Sequence, residues 1–203
     1  MSTPFPTCWY FINKFLIITR VFRVVNDNFS LFFFFFFVCI FSVAVLFAAT
    51  RNRQQVWKNS LTLWEDVRSK HPNVIISYYN AANHKMKNGD LQEAIKDYNI
   101  AIEKNPEYIG ALSNRGICHA RLNNVKKAIA DFNRVIELDS TFRDVYSNRG
   151  NARVMLGDIN GAINDYSKAI MLKPGFTDAY FNRGLAYNKL QKWKLAIEDF
   201  SSV

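Results

Sequence analysis

Apolar residues recur at the spacing of an α-helix along most of the chain after residue 74. One such stretch places them at Ile159, Ala162, Ile163, Tyr166 and Ala169. Because an α-helix turns once in about 3.6 residues, these five side chains share one face. Short polar segments that contain glycine or asparagine separate neighbouring stretches of this kind. The pattern predicts a series of short amphipathic helices joined by tight turns, and therefore an all-α fold.

The helical pattern itself repeats every 34 residues, and the triplet Asn-Arg-Gly recurs at 114–116, 148–150 and 182–184. Three sets of positions keep this interval: a small residue (Ala82, Gly116, Gly150, Gly184), an alanine (Ala94, Ala128, Ala162, Ala196) and an aromatic residue (Tyr98, Phe132, Tyr166, Phe200). Pro106 and Pro174 also keep it, with Ser140 at the position between them. The small residues predict a close approach of paired helices, and proline, which cannot continue a helix interior, separates successive pairs.

This combination of period and residue types resembles the tetratricopeptide repeat. The resemblance covers residues 75–203, with units at 75–108, 109–142 and 143–176 and a truncated unit at 177–203. It implies a right-handed superhelix of antiparallel helix pairs whose first helices line a concave groove. The truncated unit stops inside its second helix, although repeat arrays normally end in a polar capping helix. We therefore expect the chain to be part of a longer protein.

The same phase extends backwards into residues 51–74. Trp57, Ser60, Trp64 and Pro72 stand 34 residues before the apolar, alanine, aromatic and proline positions of the first unit. We therefore predict a half-repeat at 51–74, whose helix would form the second helix of a preceding pair. The alternative is an ordinary amphipathic helix beside a membrane.

A long apolar block precedes the repeats, and no charged residue occurs from Phe29 to Thr50. About 20 apolar residues in a helix cross a bilayer, so we predict a single transmembrane helix at 29–50. A cleaved signal peptide and a low-complexity phenylalanine run are the alternatives. Residues 1–28, which mix apolar and basic positions, can lie in the membrane interface. Basic residues flank the block on both sides and do not decide which face carries the repeats.

Charge and composition narrow the classes of function. The chain has 26 Lys and Arg against 17 Asp and Glu, a net charge of +9. This excess forms no stripe, so we expect no nucleic-acid partner. Three cysteines and three histidines show no metal-ligand or catalytic spacing, so we expect no catalytic residue, metal or cofactor. Acidic residues of the second helices, such as Asp97, Asp131 and Asp199, are expected in solvent. The repeated arginines (Arg115, Arg149, Arg183) are expected to point to the rim or to the next repeat.

Asparagine provides the candidate binding residues. Amides stand at the same position of each first helix, and two more follow three residues later: Asn80, Asn114, Asn148, Asn182, Asn83 and Asn151. An amide both donates and accepts hydrogen bonds, so a row of them can read the backbone of an extended peptide. The row resembles the asparagine ladder of the O-GlcNAc transferase superhelix. The alternative is that these amides bond within the stack. A clamp for a terminal carboxylate is not expected, because the preceding residues are Tyr79, Ser113, Ser147 and Phe181.

The junction at 49–73 resembles that of membrane-embedded O-mannosyltransferases with C-terminal repeat arrays, although the spans that hold the catalytic acids of that group are absent here. We therefore expect a non-catalytic, single-pass membrane-anchored scaffold that binds protein or extended peptide segments in its groove. The alternative is the C-terminal portion of a membrane glycosyltransferase whose repeats present the acceptor protein.

Overall fold

The computed structural model describes Arg20, residues 36–51, Gln54 and residues 58–203. The chain divides into two compact units, Met1–Gln55 and Val56–Val203. In the first unit, residues 36–51 are helical with exposed side chains. Among the described residues, no helix is both long enough and apolar enough to cross a bilayer. Residues 29–35 of the predicted transmembrane helix, and 1–28 apart from Arg20, lie outside the described residues.

Residues 58–203 form nine α-helices and no strand. They are α1 (Ser60–Lys70), α2 (Ile75–Asn88), α3 (Leu91–Lys104), α4 (Ile109–Arg121), α5 (Val125–Leu138), α6 (Arg143–Met155), α7 (Ile159–Leu172), α8 (Thr177–Lys189) and α9 (Trp193–Phe200). From α2 onwards the helices pair as hairpins α2–α3, α4–α5, α6–α7 and α8–α9, and each hairpin packs on the next. The expected all-α solenoid is therefore confirmed.

The second helices of successive hairpins do not contact one another within residues 58–203, whereas first helices do: α2 contacts α4, α4 contacts α6, and α6 contacts α8. The first helices are therefore the more closely spaced layer, as expected for the inner wall of a curved array. The side chains that project from α2, α4, α6 and α8 away from the second helices line this inner face.

Each hairpin is held by a glycine packed against an aromatic ring. A Cβ atom added to Gly150 would lie 2.6 Å from a ring carbon of Tyr166, and the same distance separates Gly116 from Phe132 and Gly184 from Phe200. Tyr166 and Phe132 are almost completely buried. The small residue thus lets the ring of the second helix lie directly against the backbone of the first.

Tight turns close the hairpins through left-handed backbone conformations. Gly89 and Gly157 have φ values of 91° and 82°, which glycine adopts without a steric penalty. Asn123 and Gln191 take the equivalent conformation at φ values of 60° and 57°. The reversal after each first helix is therefore the same, although only two of the four turns use glycine.

The helix that precedes the first full hairpin packs on α2, as α3 packs on α4. Helix α1 begins after Asn59, whose side chain accepts a hydrogen bond from the Thr62 backbone N–H. The guanidinium of Arg68 reaches over to α3, where its Nη1 lies 2.9 Å from Oδ1 of Asp97. Residues 60–70 therefore occupy the place of a second helix. Trp57, which helped to define the predicted half-repeat, lies outside the described residues.

The expectation that the acidic residues of the second helices lie in solvent is wrong. Asp97, Asp131, Asp165 and Asp199 are all at most 6% exposed. In the last three hairpins, an arginine of the first helix binds both carboxylate oxygens. Arg115 Nη2 lies 2.6 Å from Asp131 Oδ1, and its Nε lies 2.9 Å from Oδ2. Arg149 and Arg183 repeat this geometry with Asp165 and Asp199.

The expected direction of these arginines is also wrong, because they reach the preceding repeat instead of the rim or the next one. Nη1 of Arg115 donates to Oδ1 of Asn99 on α3, at 2.8 Å. Arg149 makes the same bond to Asn133, and Arg183 bonds the hydroxyl of Ser167. Each arginine thereby joins three helices.

Candidate functional site

The inner face carries all six asparagines that the sequence predicts as binding residues. Asn80 and Asn83 lie on α2, Asn114 lies on α4, Asn148 and Asn151 lie on α6, and Asn182 lies on α8. Neighbouring first helices contact each other, so amides on successive helices come within reach of one another. The structure nevertheless gives these amides two different environments.

Three of the predicted amides line one cavity of about 350 Å³ between α6 and α8. They are Asn148, Asn151 and Asn182. The other lining residues are Asp144, Ser147, Phe176, Asp178 and Phe181. The cavity therefore combines amides and carboxylates with two aromatic rings, a mixture that can hold both a peptide backbone and a side chain.

A second cavity of about 220 Å³ continues the space between α6 and α8, and it shares Asn151 and Asn182 with the first. Its remaining wall is mostly apolar and includes Val154 and Leu185, with Lys189 at one side. Asn151 separates the two cavities and is held in place, because the hydroxyl of Tyr166 donates a 2.6 Å hydrogen bond to its Oδ1. The two cavities together form a continuous polar-to-apolar track along the inner face.

The amides between α2 and α4 bond within the stack instead. Asn83 Oδ1 accepts hydrogen bonds from the hydroxyl of Tyr98, at 2.6 Å, and from Nδ2 of Asn114, at 2.8 Å. Burial raises the pKa of the Tyr98 phenol, so this hydroxyl stays protonated and remains a donor. Asn83 and Asn114 thus follow the alternative interpretation of the asparagine row in this part of the array.

One aromatic residue explains why the two intervals differ. Between α2 and α4, Tyr79 stands where Ser147 stands between α6 and α8, and its ring packs 4.9 Å from that of Tyr108. Gly110 makes room for Tyr79, since a Cβ at Gly110 would lie 3.2 Å from the tyrosine hydroxyl. The residue that corresponds to Gly110 in the later interval is Asp178. A serine and an aspartate therefore leave open the space that a tyrosine fills in the first interval.

Several polar groups of the larger cavity have no protein partner within the described part of the chain. Ser147 is 6% exposed and its hydroxyl makes no hydrogen bond there. The side-chain amides of Asn148 and Asn182 likewise have no hydrogen-bond partner among residues 58–203. Buried polar groups are normally paired, so this cavity offers hydrogen-bonding capacity that the fold does not use.

Two basic side chains approach the lining from outside. Nε of Arg143 lies 3.6 Å from Oδ1 of its neighbour Asp144, and both side chains are about half exposed. Nζ of Lys173 lies 5.4 Å from the ring centre of Phe176. No lysine, arginine or histidine lines the cavity itself. Sequence reasoning missed Asp144, Phe176 and Asp178; the available signal was that they depart from the residues at the same repeat positions.

Comparisons with known proteins agree with this architecture. A tetratricopeptide repeat family model matches residues 79–141, and a TPR repeat family model matches residues 150–191. No curated protein matches the chain. The crystal structure of MamA is similar with a TM-score of 0.68 and 23% identity, covering 75% of this chain and 90% of MamA.

Two further solved structures are similar, and both are described as peptide-binding. The first TPR of Spaghetti (RPAP3), bound to the HSP90 peptide SRMEEVD, has a TM-score of 0.56 and 26% identity, covering 58% of this chain and 93% of that one. YrrB, a TPR protein with an unusual peptide-binding site, has a TM-score of 0.61 and 18% identity, covering 77% and 79%. With its 34-residue period, its stacked helical hairpins and these matches, the chain belongs to the tetratricopeptide repeat family.

Proposed function

We propose that this protein is a non-catalytic scaffold that binds extended segments of partner proteins along the inner face of its first helices. The observation that carries the proposal is the cavity between α6 and α8, where Asn148 and Asn182 present unused amides beside an open space. The peptide-bound RPAP3 domain and the peptide-binding site of YrrB support it, because both proteins share this fold.

The proposed binding uses the two faces of each amide. The Oδ1 of an asparagine accepts from a peptide N–H, while its Nδ2 donates to a peptide C=O, so that backbone is recognised independently of sequence. Asn148 and Asn182 stand at the same position of successive first helices. An extended segment that crosses α6 and α8 can therefore meet both amides, while Asn151 is kept in position by Tyr166.

The test starts from a random-peptide library displayed on phage and selected against the whole protein. Selected peptides are labelled, and their affinities are measured by fluorescence anisotropy. We expect Asn148→Ala together with Asn182→Ala to weaken every selected peptide about tenfold or more, because two backbone hydrogen bonds are lost. The melting temperature should stay close to that of the unchanged protein, since neither amide bonds within the stack.

Two matched variants make the test specific. Asn164→Ala removes an exposed asparagine from α7, a second helix, and should leave peptide affinity unchanged. Asn114→Ala removes a bond inside the stack and should lower the melting temperature. Unaltered affinity in the Asn148 and Asn182 double variant, or selection of no peptide at all, would contradict the proposed groove function.

We further propose that residues 29–50 anchor the scaffold in a membrane, on the support of the uncharged sequence from Phe29 to Thr50. Resistance of the full chain to extraction from vesicles by alkaline carbonate would agree with this, and release into the soluble fraction would contradict it. The resemblance of the junction to O-mannosyltransferases gains no support from the family matches or the similar structures.

A further inference from the structure

We propose that the cavity between α6 and α8 receives the ammonium or guanidinium group of a lysine or arginine in the bound segment. This inference rests on the groove function proposed above and adds the chemical class of the side chain that the groove selects. It depends on three features of the cavity: its carboxylates, its aromatic rings and its unused hydrogen-bonding groups.

The carboxylates give the cavity a negative charge although the chain as a whole is basic. Asp144 and Asp178 both belong to the lining, which contains no basic residue. The corresponding positions between α2 and α4 are Ile76 and Gly110, so the repeat does not require an acid at either place. Arg143 contacts Asp144 only from outside, in an exposed pair of neighbouring residues that contributes little energy. A cation entering the cavity therefore meets two carboxylates that the fold leaves largely available.

The aromatic rings suit the same ligand. Phe176 and Phe181 form part of the wall, and the ring of Phe181 is about half exposed. Cations are attracted to the faces of aromatic rings within about 6 Å of the ring centre. Lys173 already lies at 5.4 Å from the centre of Phe176, which demonstrates that a cation can approach this ring in the folded protein. The rings can also pack against the apolar stem of a lysine or arginine.

The unused hydrogen-bonding groups supply the remaining recognition. Ser147 is more than nine-tenths buried, lines the cavity and has no hydrogen-bond partner among residues 58–203. Its hydroxyl can accept from an ammonium or guanidinium N–H. Lysine carries three donors and no acceptor, and arginine carries five donors, so both match a cavity rich in acceptor oxygens. An acidic or purely apolar side chain would leave these oxygens unpaired or opposed by like charge.

The cavity also differs from what a ligand with a terminal acidic stretch requires. The HSP90 peptide bound by the first TPR of RPAP3 is SRMEEVD, which ends in acidic residues. The same stretch placed between α6 and α8 would face Asp144 and Asp178. The inference therefore separates this groove from one that binds acidic C-termini.

The test uses the peptides selected by phage display against the whole protein. We expect the selected sequences to share a lysine or arginine, and its replacement by methionine should weaken binding about tenfold in fluorescence anisotropy. The paired substitutions Asp144→Asn and Asp178→Asn should remove this preference, so that the lysine and methionine forms bind equally. Residual binding through Asn148 and Asn182 should persist in that variant.

A second variant fills the cavity instead of neutralising it. Ser147→Tyr copies the residue found at Tyr79, and it should abolish the preference for the basic side chain; circular dichroism and the melting temperature show whether the variant is folded. Selected peptides that bind the groove without a basic residue, or a lysine preference that survives Asp144→Asn and Asp178→Asn, would overturn the inference while leaving the groove function intact. The absence of any groove-binding peptide would overturn both.

Discussion

At Gly150 there is no space for an additional methyl group. An alanine Cβ would lie 2.6 Å from one ring carbon of Tyr166 and 3.0 Å from two others. The ring cannot turn aside easily, because it is buried and its hydroxyl is bound to Asn151. We expect Gly150→Ala to lower the free energy of unfolding by about 1–3 kcal/mol, the usual cost of overpacking a core. Urea denaturation followed by circular dichroism measures this change.

Gly175→Ala provides the matched control. No atom lies within 4 Å of the Cβ it would add, and its backbone is outside the left-handed region. The expected change in unfolding free energy is within about 0.5 kcal/mol, as for most surface substitutions. Equal effects of the two glycine substitutions would show that helix propensity, and not contact with the aromatic ring, controls stability at Gly150.

His119 makes the stability of the second hairpin sensitive to pH. Burial lowers the pKa of this imidazole below its ordinary value of 6.5; nearby Asp131 acts in the opposite direction, while Arg115 and Lys127 lower it further. Its buried Nδ1 has no hydrogen-bond partner within the described chain. Below pH 6.5 the unfolded chain therefore takes up this proton more readily than the folded chain, and stability falls as the pH falls.

The measurement compares urea denaturation from about pH 7.5 to about pH 5.5, the range in which histidine changes its charge. The unchanged protein should lose more unfolding free energy over this interval than His119→Gln, which has no group that titrates at this site. The other two histidines, His71 and His84, are common to both proteins and cancel in the comparison. Parallel pH profiles would contradict the assignment of this dependence to His119.

At the scale of helices, the arginine and aspartate pairs join elements that periodicity alone treats as separate. Arg115 and Arg149 occupy equivalent positions, but their aspartates differ in the partners that remain when the arginine is removed. Asp165 keeps a second cation, because Nη1 of Arg153 lies 3.0 Å from its Oδ2. The residue equivalent to Arg153 in the second hairpin is His119, whose lowered pKa favours the neutral form.

We therefore expect Arg115→Met to destabilise the protein more than Arg149→Met. The loss for Arg115→Met should be about 3 kcal/mol, since an unpaired buried carboxylate remains. Adding Asp131→Asn to Arg115→Met should recover part of it, because the cost arises from the uncompensated charge. Denaturation of the three variants measures these differences. A larger loss for Arg149→Met would contradict the role assigned to Arg153.

The helices were predictable, but their polar contacts were not. The 34-residue period fixes where hairpins begin because a packed core tolerates only certain residues at Gly150 or Ala162. The direction of Arg115 could not be obtained from one helix, since it depends on what α3 and α5 present to it. A signal did exist: an acid follows each repeated arginine by 16 residues in three successive units. Opposite charges that keep one spacing through several repeats indicate a conserved geometric pair.

The candidate site was predictable in part for a related reason. The amides were found because they repeat, whereas the cavity exists because the repeat is broken. Tyr79 and Gly110 close the first interval, and Ser147 and Asp178 open the later one. Recognition of the cavity requires a comparison of side-chain volumes across neighbouring helices, which the period of a single sequence does not supply. Departures from a repeat therefore carry the functional information that the repeated positions lack.

The unit Val56–Val203 is held together by contacts between nearby helices only. Each hairpin packs on the hairpins next to it, and no contact links α2 or α3 with α7, α8 or α9. The stability of such an array is approximately the sum of the hairpin stabilities and of the interfaces between neighbours. A helix with neighbours on both sides should therefore open less often than one at an end, where Trp193 and Ile197 of α9 are exposed.

Hydrogen–deuterium exchange read out by mass spectrometry tests this gradient on the full chain. Amides of α4 and α5 should exchange more slowly than those of α9, because opening the central hairpin breaks two interfaces. Gly150→Ala should then accelerate exchange mainly in α6 and α7, with smaller effects in the adjoining α5 and α8 and the smallest in α2 and α3. Uniform acceleration across all helices would contradict nearest-neighbour coupling and would indicate that the array opens as one cooperative unit. Because the cavity lies between α6 and α8, local coupling would also confine peptide-induced protection to these helices and their immediate neighbours.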